Sequence, residues 1–198
     1  MRPARIHITG PSGSGTTSLS RLLANRLDYP HHDSDDYYWK ATATPYREVR
    51  DGTERLRLMN EIFVARPDWI VSGSLMVWAD DLIRLLDLVI YLYAPVELRA
   101  ERLRDREGQH FGDDAIAPGG WRAQETDEFL EWASHYEDGT REGRKQSDHE
   151  AWLAALPCPV LRLDSTRRAD ELVEEIADWL LAHEAYRQPW ADDRKARQ

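Results

Sequence analysis

One segment, Gly10-Pro11-Ser12-Gly13-Ser14-Gly15-Thr16-Thr17, constrains this chain more than any other. Its glycines let the backbone turn sharply with successive N–H groups facing inward, an arrangement that cradles an anion. An apolar run, Arg5 to Thr9, precedes it, and Leu19, Leu22, Leu23 and Leu27 follow at helical spacing. Strand, turn and helix in that order add the favourable dipole of a helix N-terminus. The spacing is that of a phosphate-binding loop, or P-loop, except that Thr16 stands where the pattern has lysine. The expected phosphate contacts are Gly10, Ser12, Gly13, Ser14, Gly15, Thr16, Thr17 and Ser18, with the Thr17 hydroxyl placed to ligate Mg²⁺. Threonine at position 16 keeps the cradle but brings no charge to the β- and γ-phosphates. Either an arginine elsewhere compensates, or phosphoryl transfer is slow or absent.

The rest of the chain alternates short apolar runs with longer amphipathic segments, the pattern of parallel strands joined by crossover helices. Five strands are predicted: Arg5 to Thr9, Tyr29 to His32, Trp69 to Ser72, Leu88 to Tyr93, and Pro159 to Leu163. The fourth, Leu-Val-Ile-Tyr-Leu-Tyr, is apolar throughout, as a strand covered on both faces should be. Helical spacing links Leu56, Met59, Ile62 and Phe63; Val96, Ala100 and Leu103; Phe129, Trp132, Ala133 and Tyr136; Trp152, Leu153 and Leu156; and Leu172, Val173, Ile176, Trp179 and Leu180. Gly108 to Gly120 shows no period and reads as a long loop, with a lid at about 107–122. One domain over 1–187 and a polar, fraying tail over 188–198 complete the expectation.

Composition excludes several classes. A formal net charge of −10 argues against sequence-independent binding to a nucleic-acid backbone. The single cysteine, Cys158, forbids an intrachain disulfide and opens an apolar stretch, so it reads as a small buried hydrophobe in a reducing compartment. The N-terminus lacks the apolar core of a signal peptide, and no apolar run approaches the roughly 20 residues of a membrane helix. A cytoplasmic protein with no nucleic-acid or membrane partner is expected; the oligomeric state is open.

With these residues in view, the chain resembles the nucleoside-monophosphate-kinase-like (adenylate kinase-like) branch of P-loop proteins over roughly residues 5 to 182. The Gly-Ser-Gly-Thr-Thr form is similar to that of some archaeal-type cytidylate kinases, which also carry threonine at the lysine position. The resemblance implies a three-layer α/β fold, a five-stranded parallel sheet of order 2-3-1-4-5, ATP with Mg²⁺, and a mobile lid. It also implies roles. The segment His31-His32-Asp33-Ser34-Asp35-Asp36-Tyr37-Tyr38-Trp39 is similar to the Asp-x-Asp segment of the shikimate- and gluconate-kinase types. Asp33 would face the metal or an acceptor hydroxyl, Asp35 would orient or deprotonate that hydroxyl, and Tyr38 and its aromatic neighbours would stack on the acceptor. Gly73, within Ser72-Gly73-Ser74, would let the acceptor approach the backbone. Arg99, Arg102 and Arg106 before the lid, and Arg141 and Arg144 after it, match the arginines that clamp the transferring phosphoryl group, Arg102 and Arg106 foremost. Asp164-Ser165-Thr166 lies where the adenine-contacting loop is expected. Adjacent His31 and His32 point to opposite faces of a strand, which argues against a shared metal.

One feature departs from the pattern: Leu88 to Tyr93 ends in Ala94-Pro95, with no acidic residue at its end, and Asp87 lies at the wrong edge. Mg²⁺ would therefore rest on Thr17 and Asp33 or Asp35, with phosphate and water completing its shell. The expected activity is transfer of a phosphoryl group from ATP to a small acceptor, a nucleoside monophosphate first. The alternatives are a nucleotide-binding regulatory protein with little turnover, or a P-loop ATPase.

Overall fold

The computed structural model describes residues 4–43, 45–140 and 142–183. Five parallel strands, β1 (Arg5–Thr9), β2 (His31–Asp33), β3 (Trp69–Ser72), β4 (Leu88–Tyr93) and β5 (Val160–Asp164), form one sheet of order β2-β3-β1-β4-β5. Helices α1 (Thr16–Leu27) and α9 (Ala169–Ala182) pack with one face of this sheet. The other face meets α3 (Gly52–Met59), its π-helical continuation Asn60–Val64, α4 (Asp80–Ile83) and α8 (Gln146–Ala154). This is the three-layer P-loop fold that the resemblance implies.

The two-residue period of the strands explains the two cores. Leu88, Ile90 and Leu92 of β4 join Ile6, Ile8, Leu19, Leu23, Ile176 and Leu180. Val89 and Tyr91 point the other way, among Trp69, Val71, Met59, Phe63 and Leu153. After β3 the chain crosses β1 to reach β4, so the strand succession reverses beside β1. In such sheets ligands gather at the carboxyl ends of the strands at that reversal. The P-loop leaves the carboxyl end of β1 there.

The region read as a structureless loop is helical as far as Ile116, except at Gly112, and only Ala117 to Arg122 remain as turns. Helix α5 (Val96–Phe111) runs straight through Gly108, and α6 (Asp113–Ile116) follows at once. Gly108 is a packing glycine: a Cβ there would lie 2.6 Å from Asp113 Oδ1. The bend falls instead at Gly112, at φ +92°. Beyond α6 come α7 (Ala123–Ser134) and then α8, which begins well before the Trp152 that marked it in the sequence. A short α2 (Ser34–Tyr38) follows β2. The predicted polar tail lies outside the described residues.

Two fully buried histidines sit under the P-loop's side of the second core. His7 donates from Nδ1 to Val71 O at 3.0 Å, while its Nε2 has no partner. His149 Nδ1 lies 2.7 Å from Tyr136 Oη, which in turn meets Tyr91 Oη at 2.9 Å. Burial pushes both imidazoles down, each to about 4. Unfolded histidine takes up its proton near 6.5, so between those values the unfolded chain holds more protons and stability falls as pH falls. Each residue is expected to cost about 3 kcal/mol by pH 4. Thermal denaturation from pH 7 to pH 4 should show a steep loss of Tm, made shallower by His7→Leu. An unchanged slope in that variant would assign the loss to other groups.

Candidate active site

The P-loop is braced from below by buried contacts. A Cβ at Gly10 would lie 2.1 Å from Leu92 O, and one at Gly13 would lie 2.6 Å from Arg99 O. The loop therefore lies directly on β4 and on the first turn of α5. Ser14 N–H closes the turn on Pro11 O at 3.1 Å. Gly15, at φ +92°, is the N-cap of α1, and no side chain caps that helix. The first-turn amides of α1 have no intrahelical acceptor and are available to a phosphate.

Arg99 and Arg102 are committed to holding this loop. Arg99, 1% exposed, donates to Ala94 O, Ser12 O and Ala133 O and forms a bidentate pair with Glu137 at 2.6 Å. Arg102 donates to Ser14 O at 3.4 Å, and to Ser165 Oγ and O at 2.5 and 2.9 Å. Ser165 Oγ itself donates to Ser14 O at 2.7 Å, so the loop after β5 is stitched to the P-loop. The resemblance puts Arg102, with Arg106, foremost in the phosphoryl clamp. Its partners here are the Ser14 carbonyl of the P-loop and the hydroxyl and carbonyl of Ser165.

Across the cleft, the tips of β2 and β3 meet. Asp33, the last residue of β2, accepts the Thr17 hydroxyl at 2.8 Å and the Ser72 hydroxyl at 3.2 Å, both on Oδ2. Its Oδ1 caps α2 by accepting Asp35 N–H at 3.1 Å. Gly73, at φ +101°, is required here, because a Cβ would lie 2.1 Å from Ser34 Oγ. Thr17 and Asp33 thus present hard oxygen donors beside an open helix N-terminus. Their chemistry fits Mg²⁺, which prefers one or two protein oxygens with phosphate and water over a full protein cage. Among the described residues no group of three or more His, Cys, Asp or Glu offers such a cage.

Asp35 projects into the cleft. It is exposed, yet the surrounding protein displaces bulk water, and this burial, reinforced by Asp33, raises its carboxyl above the usual range. Arg144 and Arg106 act on it in the opposite sense. Arg144 lines a cavity of about 10 Å³ with Pro11, Ser12, Tyr136 and His149. No hydrogen bond or ion pair links it to any described residue, and burial pulls its guanidinium down from its ordinary range. Arg106 is more exposed, lies 3.7 Å from Glu107 and stacks at 5.5 Å over Phe129. Arg141 lies outside the described residues. The structure therefore brings together Thr17, Asp33, Asp35, Gly73 and, electrostatically, Arg106 and Arg144. Thr16 and Ser18 take their places in the first turn of α1.

Tyr38 reveals a residue the sequence reading missed. Arg55, 9% exposed, lies 4.1 Å over the Tyr38 ring and 5.3 Å from that of Trp78. Its Nε donates to Arg50 O at 2.7 Å, and its terminal nitrogens have no hydrogen-bond or ion-pair partner among the described residues. Trp39 and Tyr46 extend the aromatic wall. The available signal was spacing: Arg55 precedes buried Met59 by four residues, which puts it on the inner stripe of α3. Adjacent His31 and His32 do diverge, His31 to Ser72 and His32 to Tyr37 and a stacked Phe63.

The model of the family described as "AAA domain" matches residues 6–114. The chain belongs to the AAA domain family. This AAA domain protein is 40% identical over 175 residues to the uncharacterized protein YqaC of Bacillus subtilis (strain 168), covering 88% of this chain and 96% of that one. It is 29% identical over 133 residues to cytidylate kinase 2 of Borrelia garinii subsp. bavariensis, covering 55% of this chain and 66% of the kinase. The match thus spans just under two thirds of that kinase's length. In fold it is similar to shikimate kinase from Acinetobacter baumannii in complex with shikimate, with a TM-score of 0.55 at 18% identity, covering 91% and 94% of the two chains. A gluconokinase from Sinorhizobium meliloti 1021 gives 0.51 at 21% identity, covering 93% and 96%. This is a kinase-like P-loop protein related to small-molecule kinases. No helix among the described residues is long and apolar enough to cross a membrane.

Proposed function

We propose that this AAA domain protein is an ATP-dependent small-molecule kinase whose acceptor is an anion, a nucleoside monophosphate first. The observation that carries the reading is Asp35, a carboxylate in the cleft beside the Thr17–Asp33 pair and under the influence of Arg144 and Arg106. Similarity to cytidylate kinases supports the nucleotide acceptor, and the Arg55 guanidinium beside Tyr38 and Trp78, its terminal nitrogens without a partner among the described residues, supports its negative charge.

Bound Mg-ATP supplies the transferable phosphoryl group. The P-loop amides hold the β-phosphate, and Thr17 with Asp33 would hold the metal. Arg144, seconded by Arg106, brings the charge that Thr16 lacks to the phosphoryl group in flight. Asp35 orients the acceptor. A phosphate acceptor arrives already ionised, whereas a hydroxyl acceptor must lose a proton, and the raised Asp35 carboxyl is suited to take it. Arg55 would pair with the acceptor's phosphate or carboxylate while Tyr38 and Trp78 flank it.

ADP production with Mg-ATP is to be measured against a panel of nucleoside monophosphates and small hydroxy acids, with ATP binding followed in parallel. A single acceptor that raises ADP well above background is expected. Binding without acceptor-dependent turnover would favour a regulatory nucleotide-binding protein, the reading that Thr16 supports. Phosphate release indifferent to acceptor would make the protein an ATPase.

A further inference from the structure

A directed chain of hydrogen bonds runs from the edge of the sheet to the P-loop. His31 Nε2 lies 3.0 Å from Ser72 Oγ, Ser72 Oγ lies 3.2 Å from Asp33 Oδ2, and Thr17 Oγ1 lies 2.8 Å from that same oxygen. Counting protons fixes every direction in it. The Asp33 carboxylate only accepts, so the Ser72 and Thr17 hydroxyls both donate to it. Ser72 has then spent its one proton and accepts from His31, which must carry hydrogen on Nε2. With its proton turned to Asp33, Thr17 directs its lone pairs elsewhere, where a cation can meet them. Asp33 itself is held on both oxygens, since Oδ1 takes the Asp35 amide.

We infer that His31 is a positioning residue for the metal-nucleotide site, acting through Ser72 to hold Asp33 and Thr17 in their cation-binding orientation. The inference rests on the proposed role of Thr17 and Asp33. His31 does this from a distance: its hydrogen bond goes to Ser72, and the charged groups that act on it are Asp33, Arg21 of α1 and Asp36 of α2. A bond that merely tied β2 to β3 would have no need to end on the carboxylate that receives Thr17. Linked hydroxyls also polarise one another, so losing the first donor weakens the later bonds.

The test is Mn²⁺ affinity in the presence of ADP, read by electron paramagnetic resonance, alongside metal-free ADP affinity and Tm. His31→Phe removes the donor and is expected to weaken Mn²⁺ binding roughly 3- to 10-fold, the loss of one hydrogen bond. Metal-free ADP affinity should hold. His31→Gln, which restores an amide donor at similar reach, should return Mn²⁺ affinity to within about two-fold of the parent. Ser72→Ala, which keeps the histidine but breaks the chain, should match His31→Phe. Unchanged Mn²⁺ affinity in His31→Phe and Ser72→Ala would overturn the inference while leaving the metal site standing. An equal fall in metal-free ADP affinity would overturn it too, by reducing His31 to a structural tie. Failure of the parent protein to bind Mn²⁺ with ADP would overturn the metal-site reading and the inference together.

Discussion

Replacing Arg144 with alanine will lower turnover by roughly 10²- to 10³-fold, the range seen when one preorganised charge is removed from a developing phosphoryl or oxyanion centre. The protein's stability will hold or rise. Both halves follow from the same observation. Arg144 is partly buried, loses hydration there, and makes no hydrogen bond or salt bridge with any described residue, the charge of Asp35 offsetting only part of that loss. A desolvated cation left unpaired is a cost to folding, so its removal relieves the fold. Such a cost persists where a ligand supplies the missing anion.

In the proposed reaction Arg144, which lines a cavity with Pro11 and Ser12 of the P-loop, is the leading candidate for the missing charge, because Thr16 replaces the lysine and Arg102 is spent on Ser14 and Ser165. Arg144→Lys should recover part of the activity, as a point charge without the planar fork of donors. Arg106→Ala should cost less, about 10-fold, because Arg106 is half exposed and screened by Glu107. Discrimination between ATP and ADP gives a readout that needs no acceptor: the alanine variant should lose ATP affinity more than ADP affinity. If turnover and that discrimination both match the parent, Arg144 is not the missing cation.

The sequence made the centre of the fold legible because several local signals there coincide. Gly10 to Thr17 required a turn, the apolar run before it a strand, and Leu19 to Leu27 a helix; β4 declared itself by being apolar at every position. The sheet order came from the resemblance, since periodicity carries no information about which strands are neighbours. What remained hidden were the cases where one residue type serves two opposite purposes. Glycine at 108 reads as a breaker but is a contact inside α5, since its meaning lies in where Asp113 sits. Arginines on α5 read alike at 99, 102 and 106. One is a buried brace on Glu137, one a stitch to Ser165, and one a half-exposed charge facing the cleft. Those partners are more than thirty residues away in the first two cases, beyond any local pattern. Arg55 was hidden for the complementary reason: a lone charge on a helix is ordinarily solvated, and only the rings of Tyr38 and Trp78 make this one different.

The largest effect on stability is expected at Gly10, and a comparison with Gly15 separates two reasons for having glycine in the same loop. A methyl at Gly10 would lie 2.1 Å from Leu92 O and 2.7 Å from Ser14 Oγ. The first is backbone in a buried central strand, so no side-chain rotation relieves it, and β1 and β4 would have to separate. Overpacking of that kind should cost Gly10→Ala about 3 kcal/mol or more. For a chain of this size that is a fall in Tm of roughly 10 °C. Gly15 has room, its nearest neighbour being Arg102 Nη1 at 3.8 Å, but its φ of +92° is disfavoured for a residue with a Cβ. Gly15→Ala should therefore cost only about 1 to 2 kcal/mol in stability. Its price falls on the anion: to relax φ the turn must rotate the amides that open α1, and triphosphate affinity should drop at least roughly 10-fold, as expected when charge-assisted N–H contacts are lost. Thermal denaturation and nucleotide titration of both variants decide the matter. A Gly10→Ala protein as stable as the parent would mean that β4 yields where the geometry says it is fixed. A Gly15→Ala protein with full nucleotide affinity would mean that the turn between β1 and α1 is not the phosphate cradle.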